Sequence, residues 1–480
     1  MKPSVLLIYP NVSREERYKE IGIAGLLGGH QIPLGVFALA AWLRERGYPV
    51  GVIDAETQEL SPDQVARRCR LYDIIGISST SLAFPRAVDA ARAIKGYWPD
   101  KPIILGGPHV SCMPEHPLQF DCFDYAIRNE GEEALVETLE ALGEVRPSDD
   151  PGWRLASVRG LIWRRNGEVV INPPRPYIED LDRLPSPAYD LIPDLAAYHP
   201  PAFCYSRSPV LNVHTSRGCP GQCTFCDRSV FGGKFRARSA KAVADDIETL
   251  IRRYGAREIA FMDDTFTVSK PRVYEIFRIL RERGLTFPWS CMSRISTVDE
   301  PLLKFMRENG CWHIAFGIES GNASVLKVIR KGADLGRIEQ VIRYCDQLGI
   351  KTKGFFMLGH PSDTPESIEQ TIEFGVRLPI RDLVVTVNTP WPGTWQFEHA
   401  REFGTREEFS FDRWNHWNPV FVPFGLTPEF LLKKHKEFIR RFYFRPRAVW
   451  NVLRTPGILR QLWALAVAYF KHRKTAQSHE

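Results

Sequence analysis

The 480-residue chain has no apolar run long enough for a transmembrane helix, which takes about 20 residues. Its longest such run, residues 462–470, has nine. The N-terminal apolar patch is short and turns polar at once, so no secretory signal is expected. Cysteine is too sparse for a disulfide scaffold, at ten in the whole chain. No low-complexity tract or collagen-like period runs through the sequence. Hydrophobic residues make up 44% and charged residues 25%, which are globular proportions. The length suits two to four domains. The expected location is the cytoplasm, where thiols stay reduced and clustered cysteines read as metal ligands. Net charge is small at +6, and it is unevenly spread. Residues 431–480 hold 12 Lys+Arg against 2 Asp+Glu, which leaves the rest slightly acidic. The body is therefore no general nucleic-acid binder, and no nucleic-acid partner is expected.

Strand and helix patterns alternate over residues 1–142: SVLLIYP, PLGVFALAAWLRERGY, PVGVIDA, YDIIGISST, AFPRAVDAARAIKGYW, KPIILGGPH. This spacing predicts a doubly wound, Rossmann-like (flavodoxin-like) parallel sheet. Ser61 reads as a helix N-cap. Ligands on such sheets bind beyond the C-terminal strand ends. Ser79, Thr80 and Ser81 stand there with small hydroxyls. Gly106 and Gly107 let backbone approach closely. Residues 143–202 read as a Pro/Arg-rich linker with a hairpin turning at Asn166-Gly167. Six further strand–helix units over 203–400 predict a partial, open (β/α)6 barrel rather than a closed eight-unit one. Residues 401–480 hold several aromatics and then a basic, helix-like tail.

The decisive segment is Cys219-Pro-Gly-Gln-Cys223-Thr-Phe-Cys226, directly after the first strand of the second unit. Three thiolates on one loop can hold three irons of a [4Fe–4S] cluster and leave the fourth iron open to a chelating substrate. A zinc site would need a fourth Cys or His. His214 lies on the strand, and no second Cys-x-x-Cys exists.

This motif, with Phe225 before its last cysteine, resembles the radical S-adenosylmethionine (AdoMet) superfamily. The resemblance implies a TIM-type partial barrel, a [4Fe–4S] cluster on Cys219, Cys223 and Cys226, and cleavage of AdoMet to a 5′-deoxyadenosyl radical. It also implies a flavodoxin- or ferredoxin-type electron donor. Asp263, Asp264, Arg294, Glu319 and Lys331 stand at strand ends where that family contacts AdoMet. Plainer roles are helix capping for the two aspartates, a surface ion pair for Arg294 and a solvated helix end for Lys331. The fifth strand has no carboxylate where some relatives carry one.

The first domain then resembles that of the cobalamin-binding (class B) members, which include the anaerobic magnesium-protoporphyrin ester cyclase type. The matching pieces are GISSTS, GGPHVS and RNEGEEAL. The resemblance implies cobalamin, with Ser79, Thr80, Ser81, Gly106 and Gly107 along its path. The usual Asp-x-His-x-x-Gly loop is absent, and His109 is a hydrogen bonder, a loop residue or a cobalt ligand. Three functions stay open. They are cobalamin-dependent methyl transfer to a small molecule or lipid, radical cyclisation, and a cobalamin or redox sensor without turnover. Residues 428–474 alternate basic and apolar stretches, 457–474 among them, and suit either peripheral contact with the inner membrane surface or packing on the barrel. Trp391, Trp395, Trp414 and Trp417 wall a pocket or pack a core.

Overall fold

The structure, a computed structural model, describes residues 2–12, 29–143, 152–198, 200 and 204–446. The first layer begins with β1 (Val5–Tyr9), α1 (Leu34–Glu45), β2 (Val50–Asp54), α2 (Pro62–Arg68) and β3 (Ile74–Ser78). It continues with α3 (Phe84–Tyr97), β4 (Ile103–Gly106), α4 (Pro108–Cys112), β5 (Tyr125–Ile127) and α5 (Glu132–Gly143). The strands are parallel in the order β2-β1-β3-β4-β5. That order reverses between β1 and β3, which opens a crevice at their C-terminal ends. Val5, Leu6, Leu7 and Ile8 are all buried because both sheet faces are covered. Ser61 starts α2 with a full capping box, its hydroxyl on the Gln64 amide.

The expected linker hairpin belongs instead to this sheet. β6 (Leu161–Arg165) and β7 (Glu168–Ile171) pair antiparallel on β5 and extend it to seven strands. The turn is where expected: Asn166 and Gly167 both have positive φ, at 52° and 85°, as a type I′ hairpin requires. From β7 to residue 198 the chain forms a strap. Tyr189 reaches the backbone of the following layer, its hydroxyl donating to the Asn212 carbonyl at 3.0 Å. The Tyr198 hydroxyl donates back to Asp54 at 2.7 Å.

The second layer starts at β8 (Val210–Val213), followed by a short ribbon of β9 (Ser216–Arg217) and β10 (Arg236–Ala237). Then come α6 (Ala240–Arg252), β11 (Glu258–Phe261), α7 (Lys270–Glu282), β12 (Trp289–Ser293), α8 (Glu300–Glu308) and β13 (Cys311–Glu319). α9 (Ala323–Val328), α10 (Leu335–Gln347), β14 (Lys351–Leu358), α11 (Pro365–Arg377) and β15 (Asp382–Val387) complete it. The six long strands are parallel in the order β15-β14-β13-β12-β11-β8, the open barrel expected from the sequence. One face of the first sheet shares a continuous apolar core with the strap and barrel. Its other face has a core of its own.

α12 (Trp395–His399), the ribbon of β16 (Gly404–Arg406) and β17 (Phe421–Pro423), and α13 (Pro428–Tyr443) close the described chain. α13 packs on the barrel. Phe438 is fully buried, its ring 5.2 Å from that of Phe356. Gly375 makes room for it, since a Cβ there would lie 2.4 Å from the Phe438 ring. Lys434 and Arg441 pair with Glu369. The 457–474 stretch lies outside the described residues. Among those described, no helix is long and apolar enough to cross a membrane.

Truncating Phe438 to Ala should cost about 3–5 kcal/mol of stability. Urea unfolding of the two chains measures it, and a loss under about 1 kcal/mol would mean α13 is not part of the barrel core.

Candidate functional site

The cysteine loop is held from below by one carboxylate. Asp263, 1% exposed at the end of β11, accepts from the Thr215 amide and hydroxyl and from the Ser216 amide, each at 2.6 Å. These bonds dock the start of the loop onto the next strand end. Asp263 thus braces the loop and does not itself line the cavity. Asp264, beside it, does line the cavity. Neither aspartate caps α7, whose N-cap is Ser269. Gly218, with φ at 81°, lets the loop pass the Lys234 carbonyl, which a Cβ would meet at 2.3 Å.

Cys219, Cys223 and Cys226 all line one cavity of about 640 Å³. Arg294, from the end of β12, reaches over the loop and donates to the Cys223 sulfur at 3.2 Å. Its other nitrogen donates to the Lys331 carbonyl. Burial opposes its charge, but the three neighbouring sulfurs outweigh that and hold the guanidinium above its usual range. Gly221 permits this approach, because a Cβ there would lie 2.5 Å from the guanidinium. Glu319 ends β13 with φ at 69°, so its carboxylate turns into the cavity. There it pairs with Lys331 at 2.8 Å, both side chains under 10% exposed. Lys331 is no solvated helix end, and Arg294 is no surface ion pair. Phe225 lies on the same wall, with the Lys331 ammonium 5.7 Å from its ring centre.

The opposite wall is the C-terminal edge of the first sheet. Gly106 and Gly107 line the cavity. Gly107 has φ at 95°, and a Cβ there would strike the Ser79 backbone at 2.7 Å. The hydroxyl loop is only partly as expected. Ser79 is fully buried, its hydroxyl on the Thr80 carbonyl. Ser81 bonds His109 at 3.1 Å. Thr80 lines a neighbouring polar cavity of about 510 Å³. Ser78, the first residue of the same hydroxyl loop, lines both cavities. His109 is fully buried between Ser81 and His116, stacked near Phe84. Burial, with His116 beside it, pushes its ring down to about 3. It packs against Phe84, His116 and Phe411 and does not line the cavity.

Comparison with known proteins divides the chain in the same way. Residues 213–375 match the Radical SAM superfamily, and residues 21–139 match the B12 binding domain. An uncharacterised methyltransferase of Pyrococcus horikoshii is 33% identical over 434 residues, covering 90% of this chain and 92% of that one. The chain belongs to the cobalamin-binding radical AdoMet family. The family is one of enzymes, and its cofactors are a [4Fe–4S] cluster, AdoMet and cobalamin. The sensor reading is thereby set aside. The anaerobic magnesium-protoporphyrin IX monomethyl ester cyclase of Rubrivivax gelatinosus is 28% identical over 449 residues, 92% of this chain and 77% of that one. Among solved structures, the radical AdoMet methyltransferase TsrM of Kitasatospora setae superposes with a TM-score of 0.68 at 18% identity. That match covers 93% of this chain and 90% of the other.

In this radical AdoMet enzyme, buried charge ties the two walls together. Glu130 and Glu132, from the first domain, face Arg217 and Arg236, which flank the cysteine loop on the β9–β10 ribbon. Arg217 donates to Glu130 at 2.8 Å and to Glu132. Arg236 donates to both Glu130 oxygens at 2.9 and 3.1 Å. The remaining Glu130 valence accepts the Ile178 amide at 2.7 Å. Burial opposes the charge on Arg217, but Glu132 and Glu130 outweigh that and hold the guanidinium above its usual range. The Arg-Asn-Glu-Gly-Glu-Glu stretch and the Arg two places before Cys219 were visible in the sequence, but nothing there paired them. Among the four tryptophans, Trp414 is core, 1% exposed, with its indole N–H on the Pro390 carbonyl. None of the four lines the large cavity.

Two substitutions separate bracing from binding. Asp263→Ala leaves the three cysteines intact yet should lower iron uptake on reconstitution at least severalfold. Iron content equal to the parent protein would show that the brace is dispensable. Arg236→Gln leaves Glu130 short of a buried cation and should cost about 3–5 kcal/mol. Thermal and urea unfolding read that loss.

Proposed function

We infer that the enzyme transfers a methyl group to an unactivated carbon of a small-molecule or lipid substrate. One observation carries this reading: the three thiols and the strand ends of the first sheet open onto the same cavity. The chemistry of the donor set fits the cofactors. Three thiols on one loop suit three irons of one cluster. A zinc site would need a fourth Cys or His beside the three thiols. On the other wall, Gly76, Gly106 and Gly107 present bare backbone, with Leu7, Val36 and Leu135 as apolar neighbours. That wall suits a flat macrocycle and its tail. His109, buried between Ser81 and His116, is not part of that wall.

When bound, the cluster supplies the electron that opens the AdoMet sulfonium bond, and cobalamin supplies a transferable methyl. The chain's own groups bind and orient. Arg294 donates a hydrogen bond to the Cys223 sulfur and brings its positive charge to the loop. Glu319 and Lys331 offer an acceptor and a cation to a zwitterionic amino acid, and Asp264 a second acceptor. Their mutual ion pair keeps both oriented until a ligand replaces it. Ser79 and Ser81 hold the loop beside Gly107, and Thr80 and Ser78 face the edge of the site. The electron donor is of the flavodoxin or ferredoxin type, and contact with a membrane surface falls to the basic tail.

A second reading, radical cyclisation, is favoured by the extent of the likeness to the Rubrivivax cyclase. The products decide between the two. Anaerobic reconstitution with iron, sulfide and hydroxocobalamin should load about four irons and one cobalt per chain. Assay with AdoMet and reductant should then release 5′-deoxyadenosine together with S-adenosylhomocysteine. 5′-Deoxyadenosine alone would favour cyclisation. Iron that persists after Cys219, Cys223 and Cys226 are all changed to Ala would defeat the cluster assignment.

A further inference from the structure

A second opening reaches the cysteine loop away from the large cavity. It measures about 290 Å³ and is lined by Gln222, Cys223, Cys226, Arg330 and Trp395 among others. Gln222, Arg330 and Trp395 take no part in the large cavity. Cys226 is the exposed cysteine of the three, while Cys223 is buried. Cys223 and Cys226 line both openings, so the loop can be approached from this face as well as from the large cavity.

Its rim is built to carry positive charge. The Ile329 carbonyl accepts the Thr224 amide at 3.1 Å and so pins the loop. Two residues on, Lys331 must enter the cavity to pair with Glu319. Arg330 between them is forced into the left-handed region, with φ at 53°, which is unfavourable for a residue with a Cβ. The result is an exposed guanidinium, 5.5 Å from the Trp395 ring centre. Lys327, at the end of α9, is exposed beside it and bonds it through the backbone. Among the described residues neither cation forms an ion pair with a carboxylate. Val328 adds an exposed apolar side chain, at 37%. Asp227, the acid nearest the loop, is turned onto the Ser229 amide and hydroxyl.

We propose that this outer face docks a small acidic electron-carrier protein, with Lys327 and Arg330 as its basic contacts. The proposal rests on the cluster assignment to Cys219, Cys223 and Cys226. One electron leaves the reduced carrier and enters the oxidised cluster, and no covalent bond changes. Cations without acidic partners steer such encounters, and electron-transfer contacts are small, under about 1,200 Å².

Stopped-flow reduction of the reconstituted enzyme, with AdoMet and hydroxocobalamin present, tests it. The probe is a chemically reduced flavodoxin of net negative charge. The Lys327→Glu/Arg330→Glu variant should be reduced about tenfold more slowly at low salt, and the gap should close near 0.5 M salt as screening removes the steering. Dithionite should reduce both proteins at the same rate. Equal flavodoxin rates at low salt overturn the proposal. Should the double variant fail to take up iron, calorimetry of flavodoxin with the iron-free parent and Arg330→Gln chains decides. Weaker, salt-sensitive binding by the variant supports docking here, and unchanged binding overturns it. A parent chain that takes up no iron defeats the cluster assignment and this proposal together, whereas intact dithionite reduction without the flavodoxin effect defeats docking alone.

Discussion

The buried cluster of Glu130, Glu132, Arg217 and Arg236 is the constraint on which the site depends. It joins the start of α5 in the first domain to the ribbon that carries the cysteine loop. Charges taken out of water are costly unless each finds its partner and its remaining hydrogen bonds. Here Glu130 accepts from two guanidiniums and one amide, so only one relative placement of the two layers satisfies it. That demand for geometry fixes how the strand ends of the first sheet face the barrel mouth.

Once that placement is set, the cavity takes its shape. Its floor is the cysteine loop, braced by Asp263. Its barrel wall carries opposite charges in contact, Glu319 with Lys331, and a guanidinium over a sulfur. Its other wall is apolar side chain and glycine backbone. A charged, orienting half thus meets a half that offers flat contact and excludes water. The strap strengthens the arrangement from outside, through Tyr189 and Tyr198, and the shared core runs beneath it.

Much of this was legible along the chain. The strand and helix patterns of both layers lie where the periodicities put them, since fully buried parallel strands read as short apolar runs. The Cys219–Cys223–Cys226 spacing is local, so its meaning survives without a fold. The hairpin turn at Asn166-Gly167 was equally local, but its membership of the first sheet was not, because β5 and β6 pair across more than thirty residues. For the same reason Asp263 and Asp264 looked alike in sequence. The turn after β11 sends one into the brace and the other into the cavity. The hydroxyl loop shows the same effect, with Ser78 facing the site and Ser79 buried.

By itself, the sequence determined the elements, the two α/β layers, the family and the three thiols, since each depends on residues close together in the chain. Tertiary structure alone decided which charges meet. The pairings Arg217–Glu130, Lys331–Glu319 and Arg294–Cys223 each join separate elements, and spacing along the chain carries no signal for contacts made by packing. It also decided that His109 is a buried neutral ring, because its desolvation comes from helices and rings folded over it from elsewhere.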